Sequence, residues 1–337
     1  MVATAPIKVM AQQVIIPETI RDGIGRIVSF AQLDRNINAI HIYYDGAFVG
    51  YYHNDTRQPI FSSHDSFPMM GAEGIFACLL TAFAVDDGWV NWDDTVEKYL
   101  PSWSAPAYRK VTLRQLLNHT SGMDLHQIFD PSPHKLPMLT APPETFMGLN
   151  PAGYQYAAKA ISVALSKHSQ TITSYLRQKY FNPTGSSIKK WETTEEIPVF
   201  YRKNLFEGGL ELRFYDWIKL AEFIRLQGVW QQKHLLKWES LLPCFQGSKY
   251  NPAVGVGVFM NIPLGRQQVY QYDLGKIFTE IDGSLLEFSP RDFLMISSDR
   301  KNGLIIIPSM KLSISISSTL MGNLEMGRIV ETLLPKQ

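Results

Sequence analysis

The sequence is poor in cysteine, in long apolar runs and in net charge. Only Cys78 and Cys244 occur in 337 residues, which excludes the dense disulfide framework of a small secreted scaffold. Cys78 falls in an apolar helical stretch and reads as a small core residue; whether it bonds to Cys244 stays open. No run approaches the roughly 18 apolar residues of a membrane-spanning helix. A formal charge of +1 excludes electrostatic steering toward nucleic acid or an anionic membrane. The opening stretch MVATAPIKVMAQQVIIPET carries one lysine and no apolar run placed as in a signal peptide, so the expected location is cytoplasmic. P-loop, Gly-x-Gly-x-x-Gly, His-Glu-x-x-His and Cys/His ligand spacings are all missing. The expectation is therefore no cofactor and no metal.

What is present is an ordinary globular composition with many aromatics, 7 Trp, 15 Tyr and 18 Phe, enough for a large core or an apolar cleft. Pro17-Glu18-Thr19 reads as a helix start, with Ile20, Ile24, Ile27 and Val28 on its buried side. Asn38–Val49 reads as a hairpin turning at Asp45-Gly46. Phe67–Gly88 ends in a helix with Phe76, Leu79, Leu80 and Phe83 on one side. Residues 89–110 read as an irregular link. Thr112 and Gln115 form a capping box for a helix that buries Leu113, Leu116 and Leu117 and stops at Gly122. A Pro-rich crossing, Pro131 to Pro143, precedes helices over Tyr154–Ser169 and Thr171–Tyr180. Asp216 near a helix start suits the dipole there. From Ala253 onward strands dominate: VGVGVFM, RQQVYQY, FLMIS, GLIIIP and KLSISISS. A last helix covers Asn323 to Leu334.

These stretches resemble the serine beta-lactamase, penicillin-binding-protein and class C beta-lactamase-like esterase family. Phe67–Gly88 with the following WVNWDDTVEKYLPSW is similar to that family's first motif region. Leu113 to Gly122, ending His119-Thr120-Ser121-Gly122, is similar to the helix that follows it. Phe181-Asn182-Pro183-Thr184-Gly185 and Gly208-Gly209-Leu210 match two further signatures. The resemblance implies an α/β (α+β) fold. An antiparallel sheet lobe flanked by helices would come from residues 1–65 and 200–337, and a mainly helical lobe from 66–199. The cleft would lie between them at 67–74.

The chemistry of the resemblance is missing. The family's helix opens with Ser-x-x-Lys, and an ungapped alignment puts these positions on Gly71 and Gly74. Its Tyr-x-Asn falls on Leu149 and Pro151, or, after a slip of one residue, on Gly148 and Asn150. Its third box corresponds to Lys301-Asn302-Gly303, also a natural hairpin turn. An acyl-enzyme needs a nucleophile with a base in reach, and glycine supplies neither. The helix start can still offer backbone N–H groups from Gly71, Ala72 and Gly74 to an anion or carbonyl oxygen.

The candidates for acid–base work are Glu73, His64, Tyr154 and Tyr156; those for ligand binding add Asn150, Arg300 and Lys301. Each has an ordinary alternative: helix-dipole capping for Glu73, core packing for the tyrosines, solvated turn charges for Arg300 and Lys301. His119 reads as a structural histidine. His64-Asp65-Ser66 is no triad, since adjacent residues do not converge. Ser66 and Ser298 are the least poor nucleophiles for a hydrolase. The expected function is non-covalent acid–base chemistry of the lyase, isomerase or cyclase type on a small carbonyl- or carboxylate-bearing organic molecule. The alternatives are a catalytically dead binding or interaction module and a divergent hydrolase. A homodimer is compatible with the sequence; neither nucleic acid nor membrane is an expected partner.

Overall fold

In the computed structural model the described residues are 14–34, 36–54, 66–68, 73–124, 136–194, 196–200, 209–262, 290–296, 303–318 and 326–334. The sequence candidates His64, Gly71, Ala72, Arg300 and Lys301, and the serine Ser298, lie outside them. So does the predicted strand RQQVYQY.

The hairpin forms as its turn chemistry dictates. β1 (Ile37–Tyr44) and β2 (Ala47–His53) are joined by Asp45 and Gly46. Both turn residues have positive φ, +48° and +85°, as a two-residue turn matched to strand twist requires. β1 also pairs antiparallel with β13 (Leu312–Ser318), and β13 with β12 (Gly303–Ile307). With β11 (Leu294–Ile296) and β10 (Phe259–Met260) the sheet runs β10-β11-β12-β13-β1-β2. Alternation in β13 puts Ile314 and Ile316 toward α1 (Glu18–Leu33) and the last helix, α9 (Met326–Leu333). On the opposite face Ser313 and the β12 residues Leu304 and Ile306 meet α7 (Phe214–Arg225).

α2 (Gly74–Asp86) is buried on every side from Gly74 to Ala84, not along the single stripe that the sequence suggests. A helix without a polar face belongs at the centre of a core. Phe76 alone meets the rings of Tyr180, Phe181, Trp191 and Trp217. Around α2 stand α3 (Leu113–Leu117), α4 (Ala152–Ser166), α5 (Ile172–Leu176), which runs into a wide turn over Arg177–Phe181, α6 (Asn182–Thr184) and α8 (Trp238–Leu241). The capping box of α3 is present in full: Gln115 N–H donates to Thr112 Oγ1, and Thr112 N–H to Gln115 Oε1. Small sheets complete the chain: β3 (Ser66–Pro68) and β4 (Ile188–Trp191) flank β7 (Leu210–Arg213), β5 (Thr193–Thr194) pairs β6 (Ile197–Pro198), and β8 (Val229–Trp230) pairs β9 (Lys233–His234).

Several expectations are corrected. The link over 89–110 contains two short 3-10 turns, Val96–Lys98 and Pro101–Ser104. VGVGVFM is a strand only at its last two residues; Gly257 has φ +69° and the preceding segment is a loop. Asp216 does more than complement a helix dipole. It is fully buried and paired to Arg213 (2.6 Å) and Lys219 (2.9 Å), the partners that a buried carboxylate needs. Cys78 and Cys244 are bonded to each other, with Cα atoms 5.8 Å apart. Asn118 is buried, with its Oδ1 accepting from Thr120.

Candidate functional site

The start of α2 is the place to which the sequence assigns chemistry, and its neighbours there are specific. Gly74, the first residue of α2, lies against the Tyr154 ring. A Cβ at position 74 would come 2.5 Å from Tyr154 Cε2, closer than such atoms approach. Tyr154 therefore occupies the room a side chain at 74 would need. The backbone of Gly257 approaches from another side; a Cβ there would lie 2.4 Å from the Ile75 nitrogen. Only glycine combines that approach with a positive φ.

The polar atoms around this contact form one closed chain. Gly257 N–H donates to the Tyr154 hydroxyl (3.1 Å), which lies 3.0 Å from His119 Nε2. His119 Nδ1 lies 3.2 Å from the Asn150 carbonyl oxygen. A carbonyl only accepts, so Nδ1 carries the ring proton; the bare Nε2 then accepts from Tyr154. Burial holds His119 down to about 4, against a smaller opposing pull from the Asn150 carbonyl, and so keeps it neutral. Burial also pushes the Tyr154 phenol above its ordinary range, despite the Gly257 N–H. His119 itself sits at φ +64°, and its carbonyl accepts from Gly148 N–H at 2.8 Å. That bond holds the chain leading to Asn150. Asn150 in turn stands two residues before α4: its Oδ1 accepts from Ala152 N–H (2.8 Å), and its Nδ2 donates to the Asp124 carbonyl (2.5 Å).

The sequence candidates thus separate. Gly74, Tyr154 and Asn150 are brought together, but through His119 and in a buried scaffold. Glu73, in helical conformation just before α2, is fully buried. Tyr156, one position beyond the neighbour of Tyr154, is buried in the core with its ring edge-on to Trp103 at 5.7 Å. Ser66 lies in β3 opposite Arg213. No group of three or more His, Cys, Asp or Glu suited to a metal occurs among the described residues. Sequence reasoning missed Gly257 and gave His119 only a general structural role. A signal for Gly257 existed: glycines at 255 and 257 inside an apparent strand mark a bulge or a close backbone approach.

With this geometry in view, comparison with known proteins gives a consistent picture. A sequence model described as Beta-lactamase matches residues 33–187. A search among curated protein sequences finds no match. Among solved structures, a penicillin-binding-protein homologue from Caulobacter crescentus is similar at 14% identity and TM-score 0.68, covering 96% of this chain and 98% of that one. A beta-lactamase/D-alanine carboxypeptidase from Pseudomonas syringae is similar at 13% identity and TM-score 0.65, covering 94% and 98%. A family VIII carboxylesterase follows at 11% identity and TM-score 0.68, covering 95% and 98%. The chain thus matches a beta-lactamase sequence model over residues 33–187 and shares the fold of these structures over more than nine-tenths of its length.

Proposed function

We propose that this chain is a non-hydrolytic relative of those proteins, which binds a small carbonyl- or carboxylate-bearing compound beside the start of α2 and forms no acyl-enzyme. The observation that carries the reading is the Tyr154 ring against Gly74. In the alignment that the resemblance implies, 74 is the position of the family's lysine and 71 that of its serine. A lysine at 74 has no room while Tyr154 stands there. The protons of Tyr154 and His119 are already committed to neighbours, so neither group is poised as a base. This moves the weight from acid–base catalysis to binding.

The second reading keeps an enzyme, with Glu73 moving the proton. One observation favours it: a carboxyl-bearing side chain fully buried directly before the helix start. Two smaller points support the wider picture. No helix among the described residues is long and apolar enough to cross a membrane. The Cys78–Cys244 bond favours an oxidising compartment over the cytoplasm that the sequence suggested, since such bonds are rare in reducing cytosol.

Saturation-transfer NMR with simple 2-oxo acids and dicarboxylates tests the reading, with the same samples followed in D2O. Saturable binding without deuterium entry at the carbon beside the carbonyl is the expected result. Deuterium entry that Glu73→Gln abolishes would move the assignment to the acid–base enzyme. Absence of saturable binding across the series would overturn both.

A further inference from the structure

The Cys78–Cys244 bond joins two segments that meet again at the start of α2. Cys78 lies one turn along the helix from Gly74. Cys244 belongs to the short 3-10 turn Leu242–Phe245, and its carbonyl accepts the N–H of Val256 at 2.9 Å. Gly255 packs on that carbonyl; a Cβ there would lie 2.2 Å from the oxygen. The next residue after Val256 is Gly257, which rests on the Gly74–Ile75 peptide and donates to Tyr154. The bridge therefore closes a small ring of contacts: Cys78 to Cys244 by the bond, Cys244 to Val256 by the backbone, Gly257 back to Gly74 by close packing.

The segment inside that ring has little regular structure to hold it. Between Cys244 and Phe259 it has one isolated bridge, Val254 to Phe259, and turns capped by its own Ser248 and Asn251. It is held by side-chain packing instead of a strand ladder, with Ala253, Val254, Val256 and Val258 buried. α2, by contrast, is packed on every side. A covalent link from the rigid element to the loop fixes the loop's position at the one point where it touches the helix start.

We propose that Cys78–Cys244 is a redox latch on the start of α2: oxidised, it seats the 244–258 loop and Gly257 against Gly74, and reduced, it releases them. Reduction by a dithiol puts two electrons and two protons into the bond and leaves two thiols, while the dithiol closes to its own cyclic disulfide. The proposal does not rest on any ligand, so it stands or falls apart from the binding reading. It also differs from a simple staple. A bond closing a separation of 166 residues would, as a staple, act chiefly on the unfolded chain and leave native local opening unchanged.

Hydrogen exchange read by mass spectrometry on the whole chain, oxidised and after dithiothreitol, separates these cases, with thiol state checked by alkylation. Exchange at Val256, Gly257 and the first turn of α2 is expected to speed up at least tenfold on reduction, while β12 and β13 keep their protection. Equal acceleration everywhere, or none at the loop, would overturn the latch. So would a bond that dithiothreitol leaves intact in the folded protein, since both cysteines are fully buried and the latch requires the loop to open to reductant. The Cys78→Ala/Cys244→Ala variant gives a second measurement of the released state, and its exchange pattern must match that of the reduced protein.

Discussion

His119 and His41 are both buried imidazoles, and the chain uses them in opposite ways. At His119 each ring nitrogen has a defined partner, so the imidazole beside the start of α2 belongs to a closed network with Tyr154 and the Asn150 carbonyl. At the far edge of the sheet, His41 Nε2 faces His53 Nε2 at 2.9 Å, with ring centroids 5.2 Å apart, so the rings meet nearly end to end. His41 Nδ1 is buried with no hydrogen-bond partner among the described residues. Burial, with His53 adding to it, holds His41 down to about 3. The Tyr154–His119 pair beside the helix start thus has a partner for each ring nitrogen, while His41 near the sheet edge keeps one buried nitrogen without any among the described residues. A helix start built for acyl transfer would need groups left uncommitted. Tyr154 and His119 are spent on one another.

The largest expected effect breaks the closed network at its backbone contact. Gly257→Ala forces a Cβ to 2.4 Å from the Ile75 nitrogen at φ +69°. It should cost about 3 kcal/mol or more in denaturant unfolding. Gly74→Ala meets Tyr154 instead and should cost about 2–3 kcal/mol. Part of that should return in Gly74→Ala/Tyr154→Ala, because a side chain yields where backbone does not; equal losses with and without Tyr154 would refute the packing argument. Tyr154→Phe keeps the ring but strands Gly257 N–H and His119 Nε2, for an expected loss of about 1–3 kcal/mol.

Acid sharpens the contrast between the two imidazoles. Both histidines are neutral in the folded chain, with values lowered to about 4 and about 3; the unfolded chain takes up protons below about 6.5. Folded-state stability should therefore be full above that point and fall as pH drops toward 4. His41→Phe should flatten the lower part of the fall. A melting temperature that stays level from pH 7 to 4 would contradict the assignment of both rings. The smallest effect has the other sign. A Cβ at Gly25 in α1 would meet nothing within 4 Å, so Gly25→Ala should gain about 0.5–1 kcal/mol.

Much of the fold was legible because local signals agreed with one another. The Thr112–Gln115 box, the Asp45-Gly46 turn and the alternation of Leu312 to Ser318 each specify one local structure, and each forms. The site was less legible, for physical reasons. Tyr154 reaches Gly74 from far along the sequence, and no spacing rule encodes which ring fills a space left by a small residue. Gly257 looked like part of a strand because valines on both sides favour one; the closeness of the Gly74–Ile75 backbone overrode that preference. The disulfide was undecidable from two isolated cysteines, since only the fold brings positions 78 and 244 together.

If Tyr154 has taken the place of a side chain at 74, the serine–lysine route to an acyl-enzyme is closed. Intact mass spectrometry of the oxidised protein after incubation with a penicillin and with a fluorophosphonate tests this most directly. An unchanged mass with both reagents is the predicted result. A stoichiometric adduct on any serine, whether Ser66, Ser298 or another, would contradict it and return the chain to the hydrolases that it resembles.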